Sequence, residues 1–154
     1  MKIRYAAPKL HKINKDYGYI YGHTEHHGEI CNLKDLRRAG TYSMWMGLFY
    51  KGQAVGSGRL CKENWSQQYV HSENMGIDRG YRRKGHGIML YYALILLAKR
   101  LKVKRLYSSD TLNDKSRRMW KIKLARLGYI VVESKNCAKP CKHCRRQARY
   151  YIDL

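Results

Sequence analysis

Acidic residues are scarce in this chain. Eleven Asp and Glu stand against 32 Lys and Arg, leaving a net charge of +21. Such an imbalance opposes cationic partners and draws polyanions, nucleic acid first among them, although the same charge also serves solubility alone. Long apolar runs are missing as well. The longest, Ile88 to Ala98, spans 11 residues, too few to cross a bilayer and enough for a buried helix. The opening stretch MKIRYAAPKLHKINK lacks the apolar centre of a secretory leader. Only two prolines occur, no segment repeats, and no linker stands out. A hydrophobic content of 44% is too high for a disordered chain. The expectation is one domain over residues 1–154 with a real core, cytoplasmic and without membrane attachment.

The elements follow from periodicity and punctuation. Residues 1–40 read as an irregular, divergent N-terminal region rich in Tyr and His, with one short helix from Asn32 to Ala39. TYSMWMGLFYKGQAVGSGRLCKE reads as a hairpin turning at Lys51–Gly52, and QYVHSENMGI as a third strand. Gly87 to Leu101 is a long helix, apolar on nearly all sides, that must pack on a sheet. A short strand in KRLYSSD follows. Asn113 or Asp114 then caps a second helix through Leu127, ended by Gly128. YIVVES and ARYYIDL close the chain as two strands. The order predicts an α/β (α+β) layer with a mixed sheet.

One turn carries the chemistry. In MGIDRGYRRKGHGIML a strand passes through a basic, glycine-containing turn into a helix. The first turn of a helix leaves backbone N–H groups unpaired, and the helix dipole adds positive potential there. Arg82, Arg83 and Lys84 add full charges, and Gly85 and Gly87 remove side chains from a phosphate's path.

This stretch resembles the acyl-CoA loop of the GNAT acyltransferase superfamily, whose pattern of Arg or Gln, two residues, Gly, one residue, Gly or Ala is met by Arg82, Gly85 and Gly87. The likeness continues to the end of the chain through Asn113 and Leu127–Gly128–Tyr129, and is poor over residues 1–40. It implies a splayed mixed sheet flanked by helices, and acetyl-CoA as cosubstrate. Pantetheine would lie along Met75, Gly76 and Ile77, and the pyrophosphate would meet Arg82, Arg83, Lys84, Gly85, His86, Gly87 and Ile88. Asn113 and Ser116 complete the implied coenzyme set. Lys115, Arg117 and Arg118 form a basic helix face for a coenzyme phosphate, for nucleic acid, or simply for solvent.

In several members of the superfamily the general base lies eleven and nine residues before the loop's Arg or Gln, which here marks His71 and Glu73. Strand alternation places His71, Glu73 and Met75 on one face. A histidine titrates near neutrality and suits the task, although both residues also fit a half-exposed strand with no further role. The usual general acid, a Tyr on the later helix, is replaced by Trp120, which has no acidic proton to give. Another Tyr or water would then protonate the thiolate, or catalysis is weak.

Five cysteines in a cytoplasmic chain argue against a disulfide framework. NCAKPCKHCRRQ gathers Cys137, Cys141, His143 and Cys144 in a loop over residues 137–144, a candidate structural zinc site as against free thiols. The fourth ligand is either His143 or one of His23, His26, His27 and Cys31. Cys61 stands alone and reads as a packed strand residue.

The reading is an acyl-CoA-dependent N-acyltransferase acting on an amine of an acidic or nucleic-acid-associated acceptor: an aminoacyl-tRNA, a modified base or a protein. The competing readings are a weak or inactive chain of the same fold that binds DNA or RNA, and a zinc-stabilised adaptor.

Overall fold

The computed structural model describes residues 5–6, 8–23, 30–31, 42–62, 69–109, 113–134 and 149–154. The expected 32–39 helix and the 137–144 cysteine loop lie outside them. In chain order the strands are β1 (Tyr5–Ala6), β2 (His11–Lys12), β3 (Tyr17–His23), β4 (Ile30–Cys31), β5 (Tyr42–Tyr50), β6 (Gln53–Lys62) and β7 (Tyr69–Ile77). Helix α1 (His86–Arg100), β8 (Arg105–Tyr107), helix α2 (Asp114–Arg118), β9 (Val131–Ser134) and β10 (Arg149–Asp153) follow. Eight strands form one sheet in the order β2-β3-β5-β6-β7-β8-β10-β9, and β1 pairs with β4 in a separate ribbon. Among the described residues every pairing is antiparallel except β7 with β8.

The hairpin turns where expected. Lys51 and Gly52 both take positive φ, 48° and 79°, the two-residue turn whose twist suits flanking strands. Tyr42, Met44, Met46 and Leu48 alternate inward along β5 and meet Leu60 of β6 on the same face. Helix α1 lies across that face. Leu90, Ala93, Leu94, Ile95, Leu97 and Ala98 are all buried, and exposure returns only at Lys99 and Arg100.

Two expectations need correction. Residues 1–40 are not irregular throughout, since β3 pairs with β5 over seven residues, Tyr17↔Tyr50 to His23↔Met44. Tyr19 and Tyr21 bury their rings on the helix face, and the period-2 pattern Tyr17, Tyr19, Tyr21 was the signal for it. The second correction concerns α2. It leaves α-helical geometry at Met119 and runs as a π-helix through Leu124. Asn113 caps it as expected, accepting from the Ser116 N–H at 2.9 Å. Trp120 is fully buried and meets Tyr91 edge-on, ring centroids 5.9 Å apart. It is a packing residue.

At the sheet edge His11 stacks on Tyr21 (5.2 Å between centroids, 16°) and lies 5.3 Å from Tyr19. Burial chiefly, then Arg100 and Lys9, lower its pKa from the ordinary value. The unfolded chain therefore takes up this proton first as pH falls. The stability that His11 contributes is fully present above about pH 6.5 and is lost below it, toward the depressed folded value. Urea-unfolding midpoints measured across this window should fall less steeply on the acid side in His11→Phe than in the unaltered chain.

Candidate active site

Strand β7 reaches the turn through a bulge. Ser57 pairs with Gly76 while Arg59 pairs with Glu73, so Gly58 faces two residues, and Asn74 takes a φ of 52°. This corrects the expectation that His71, Glu73 and Met75 share a face. The extra residue carries Met75 across to the α1 side, where a Cβ on Gly58 would strike its sulfur. His71 and Glu73 stay on the far side.

The sheet also opens here. β7 and β8 pair only through Tyr69↔Arg105, Val70↔Leu106 and His71↔Tyr107, whereas β7 continues to Ile77. Among the described residues nothing pairs with Ser72–Ile77 on that side. The opening leads to a cavity of about 760 Å³ between the end of β7, the turn, α1 and α2.

The turn is held in three places. The Asp78 N–H donates to the Val55 carbonyl at 2.8 Å, the Arg82 Nε donates to the Ile77 carbonyl at 2.9 Å, and the Tyr81 hydroxyl donates to Gln53 Oε1 at 3.0 Å. Gly85 ends it in the left-handed region, φ 84°, where a side chain is strained although open space surrounds it. The left-handed backbone by itself therefore calls for glycine at position 85. A Cβ on Gly87 would instead press on Met119 at 3.3 Å. Among the described residues no side chain caps α1, and its first turn holds no acidic residue. Its N–H groups remain available to an anion.

His86 anchors the helix start. It is buried, bonded through Nδ1 to the Tyr17 hydroxyl at 2.7 Å, and flanked by the rings of Tyr50 and Tyr81. Tyr17 and Tyr50 escaped the sequence reading because their strands lie far from the turn along the chain.

Of the expected coenzyme residues, Met75, Gly76, Ile77, Arg82, Arg83, Gly85, His86, Gly87, Asn113 and Ser116 line the cavity, and Lys84 and Ile88 do not. Tyr81, Leu90, Tyr91, Lys115, Arg118, Met119 and Lys123 line it as well. Apart from Lys115 and Arg118, these escaped notice because they depend on how α2 packs beside α1. Burial raises the pKa of Tyr91, against a smaller opposing influence of Ser116 and Trp120. Among the described residues, five cationic side chains and no carboxylate line the cavity. That balance suits a molecule with several phosphates, and the apolar wall of Met75, Ile77, Leu90 and Met119 suits its uncharged part.

The sequence profile of the acetyltransferase (GNAT) family matches residues 7–125. The chain belongs to the acetyltransferase (GNAT) family. No curated protein matches it in sequence. In fold it is similar to the N-acetylglutamate synthase of Neisseria gonorrhoeae solved with coenzyme A and N-acetyl-glutamate, at 14% identity and a TM-score of 0.52. That match covers 71% of this chain, which spans about a quarter (25%) of the synthase. It is also similar to a candidate acyl-CoA N-acyltransferase from Klebsiella pneumoniae, at 16% identity over 73% of this chain and 72% of that one, TM-score 0.54. A third likeness is to an acetyltransferase from Streptococcus agalactiae, at 17% identity over 73% and 66%, TM-score 0.50. As a GNAT chain it is an acyltransferase of the acetyl-CoA-dependent kind, and the cavity's charge and walls fit that coenzyme. No helix among the described residues is long and apolar enough to cross a membrane.

On the far face, the expected catalytic pair is in contact. His71 Nε2 lies 2.9 Å from Glu73 Oε1, His71 buried and Glu73 half-buried. Arg59 Nη1 stands 3.9 Å from the other carboxylate oxygen.

Two measurements check the cradle. Gly85→Val should weaken acetyl-CoA binding about tenfold or more, the cost of forcing a branched residue into the left-handed region, with the far-ultraviolet circular dichroism unchanged. Tyr17→Phe should lower the unfolding free energy by about 1 kcal/mol through the lost bond to His86, seen in urea titration.

Proposed function

We propose that this chain transfers an acetyl group from acetyl-CoA to an amine of a nucleic-acid-associated or acidic acceptor. The observation that supports this best is the continuity of the site. An uncapped helix N-terminus in a cavity lined by five cations opens, at the parting of β7 and β8, toward the His71–Glu73 pair. Bound acetyl-CoA supplies a thioester carbonyl already activated toward amines. The N–H groups at the start of α1, with Arg82 and Arg83, hold the pyrophosphate, while Met75 to Ile77 border the pantetheine arm. A backbone N–H of the same stretch faces the carbonyl oxygen as it gains charge. His71 takes the proton of the incoming amine, directly or through water, and Glu73 orients the ring and supports its charged form. Trp120 is buried and burial holds the proton on Tyr91, so the departing thiolate collects its proton from water.

The acceptor class rests on the net charge of +21, most of which is carried by basic residues outside the cavity. A second reading, a chain of weak or no activity that binds DNA or RNA, is favoured by Trp120 in place of the usual acid.

Steady-state transfer to a small amine separates the two. His71→Ala and Glu73→Gln should each lower kcat by about 10²- to 10⁴-fold with acetyl-CoA affinity retained. Coenzyme binding without transfer in the unaltered chain would favour the second reading.

A further inference from the structure

A second array of reactive side chains sits on the far face of the sheet, beside the proposed base. Ser43, Cys61, His71 and Tyr107 stand in one row across β5, β6, β7 and β8, each opposite the next. Trp45, Arg59 and Glu73 form the adjoining row. Paired antiparallel strands hold these positions rigidly, so three chemically different ligands converge with little side-chain ordering left to do.

Cys61 Sγ, one ring nitrogen of His71 and a carboxylate oxygen of Glu73 all lie within 4.8 Å of one another. Around a tetrahedral zinc ion, bonds of about 2.0–2.3 Å put neighbouring ligands roughly 3.5 Å apart. Side-chain rotation alone closes that difference. The proton shared by His71 Nε2 and Glu73 Oε1 marks one edge of the polyhedron, with the sulfur as third vertex. We propose that Cys61, His71 and Glu73 bind a zinc-class divalent cation, and that its binding switches the enzyme off by taking the ring nitrogen and carboxylate away from the amine's proton. The switching half rests on the function proposed above; the binding half does not.

The donor set selects the metal. Thiolate with imidazole suits zinc and its neighbours, whereas calcium and magnesium require oxygen ligands. Three protein ligands leave a fourth position for water or for Ser43, whose Oγ lies 3.6 Å from the sulfur. Metal–sulfur bond formation releases the thiol proton to solvent. Two features weaken the site. Burial pushes the Cys61 thiol up, and Arg59 places a cation 3.9 Å from Glu73. Arg59 is nevertheless tied to Ser43 Oγ at 2.7 Å and addresses Oε2, not the oxygen that faces His71. A weakened site that fills and empties is what reversible control requires.

The test uses the 154-residue chain carrying Cys31→Ser, Cys137→Ser, Cys141→Ser and Cys144→Ser, so that no other thiol can answer for Cys61. Titration with Co²⁺ alone should produce the sulfur-to-metal charge-transfer band of one thiolate at one ion per chain, bleached by Zn²⁺. Adding Cys61→Ser, or Cys61→Ala as a second variant, should abolish the band and weaken Zn²⁺ binding about tenfold or more. Absence of the band in the parent, or its persistence without Cys61, overturns the site. Transfer rates, each relative to the same protein with chelator, should fall with Zn²⁺ in the parent and much less in the Cys61 variants. Equal inhibition in both overturns the switch. A chain with no transfer activity would count against the proposed function, while the cobalt spectrum would still decide the site.

Discussion

Burial of helix α1 is the constraint on which the site depends. An uncapped helix end is costly where it is buried and useless where it drifts. Here the body of the helix, from Leu90 to Ala98, is locked against β5, β6 and β7. The apolar contact that stabilises the fold therefore also fixes the direction in which the free N–H groups point. Gly85 lets the chain enter the helix at that angle, and the Tyr17–His86 bond ties the entry to a strand sixty-nine residues earlier. Binding and stability share one element, and a change at the helix start acts on both.

The bulge in β7 does the complementary work on the sheet. A regular strand would put Met75 beside Glu73, on the far side from α1. One extra residue opposite Gly58 turns Met75 and Ile77 toward the coenzyme cavity and leaves His71 and Glu73 facing away. The two halves of the proposed chemistry, grip on one face and proton transfer on the other, would thus be served by a single strand. The parting of β7 from β8 after His71 provides the passage between them.

How much of this was legible in the sequence depended on chain distance. The turn from Arg82 to Gly87 and the helix behind it are local features, coded by glycine, charge and an apolar run, and they stand where periodicity put them. So does the Lys51–Gly52 hairpin. Strand β3 escaped because Gly18 and Gly22 and the tyrosines between them resemble turn composition, and only its partner β5 makes it a strand. The bulge escaped because alternation counts residues and cannot see the residue that breaks the count. Cys61 was read as an isolated packed residue. Register alone brings it opposite His71, ten positions further along the chain.

The charge of the chain now divides into parts with different work. Arg82, Arg83, Lys115, Arg118 and Lys123 line one cavity with no carboxylate among its described residues, and a compact polyphosphate would account for them. Arg105 has another use. Its guanidinium lies 3.9 Å above the Tyr151 ring and 4.9 Å above that of Tyr69, and its Nε donates to Asp153 at 2.7 Å. The Asp153 bond chiefly holds its proton more firmly than in a free arginine. Arg105 is therefore mortar between β7, β8 and β10 rather than surface charge. Subtracting these six from 32 basic residues leaves 26 against 11 acidic ones. The excess that argues for a polyanionic acceptor thus survives removal of the six cations that the cavity and the aromatic cluster around Arg105 account for.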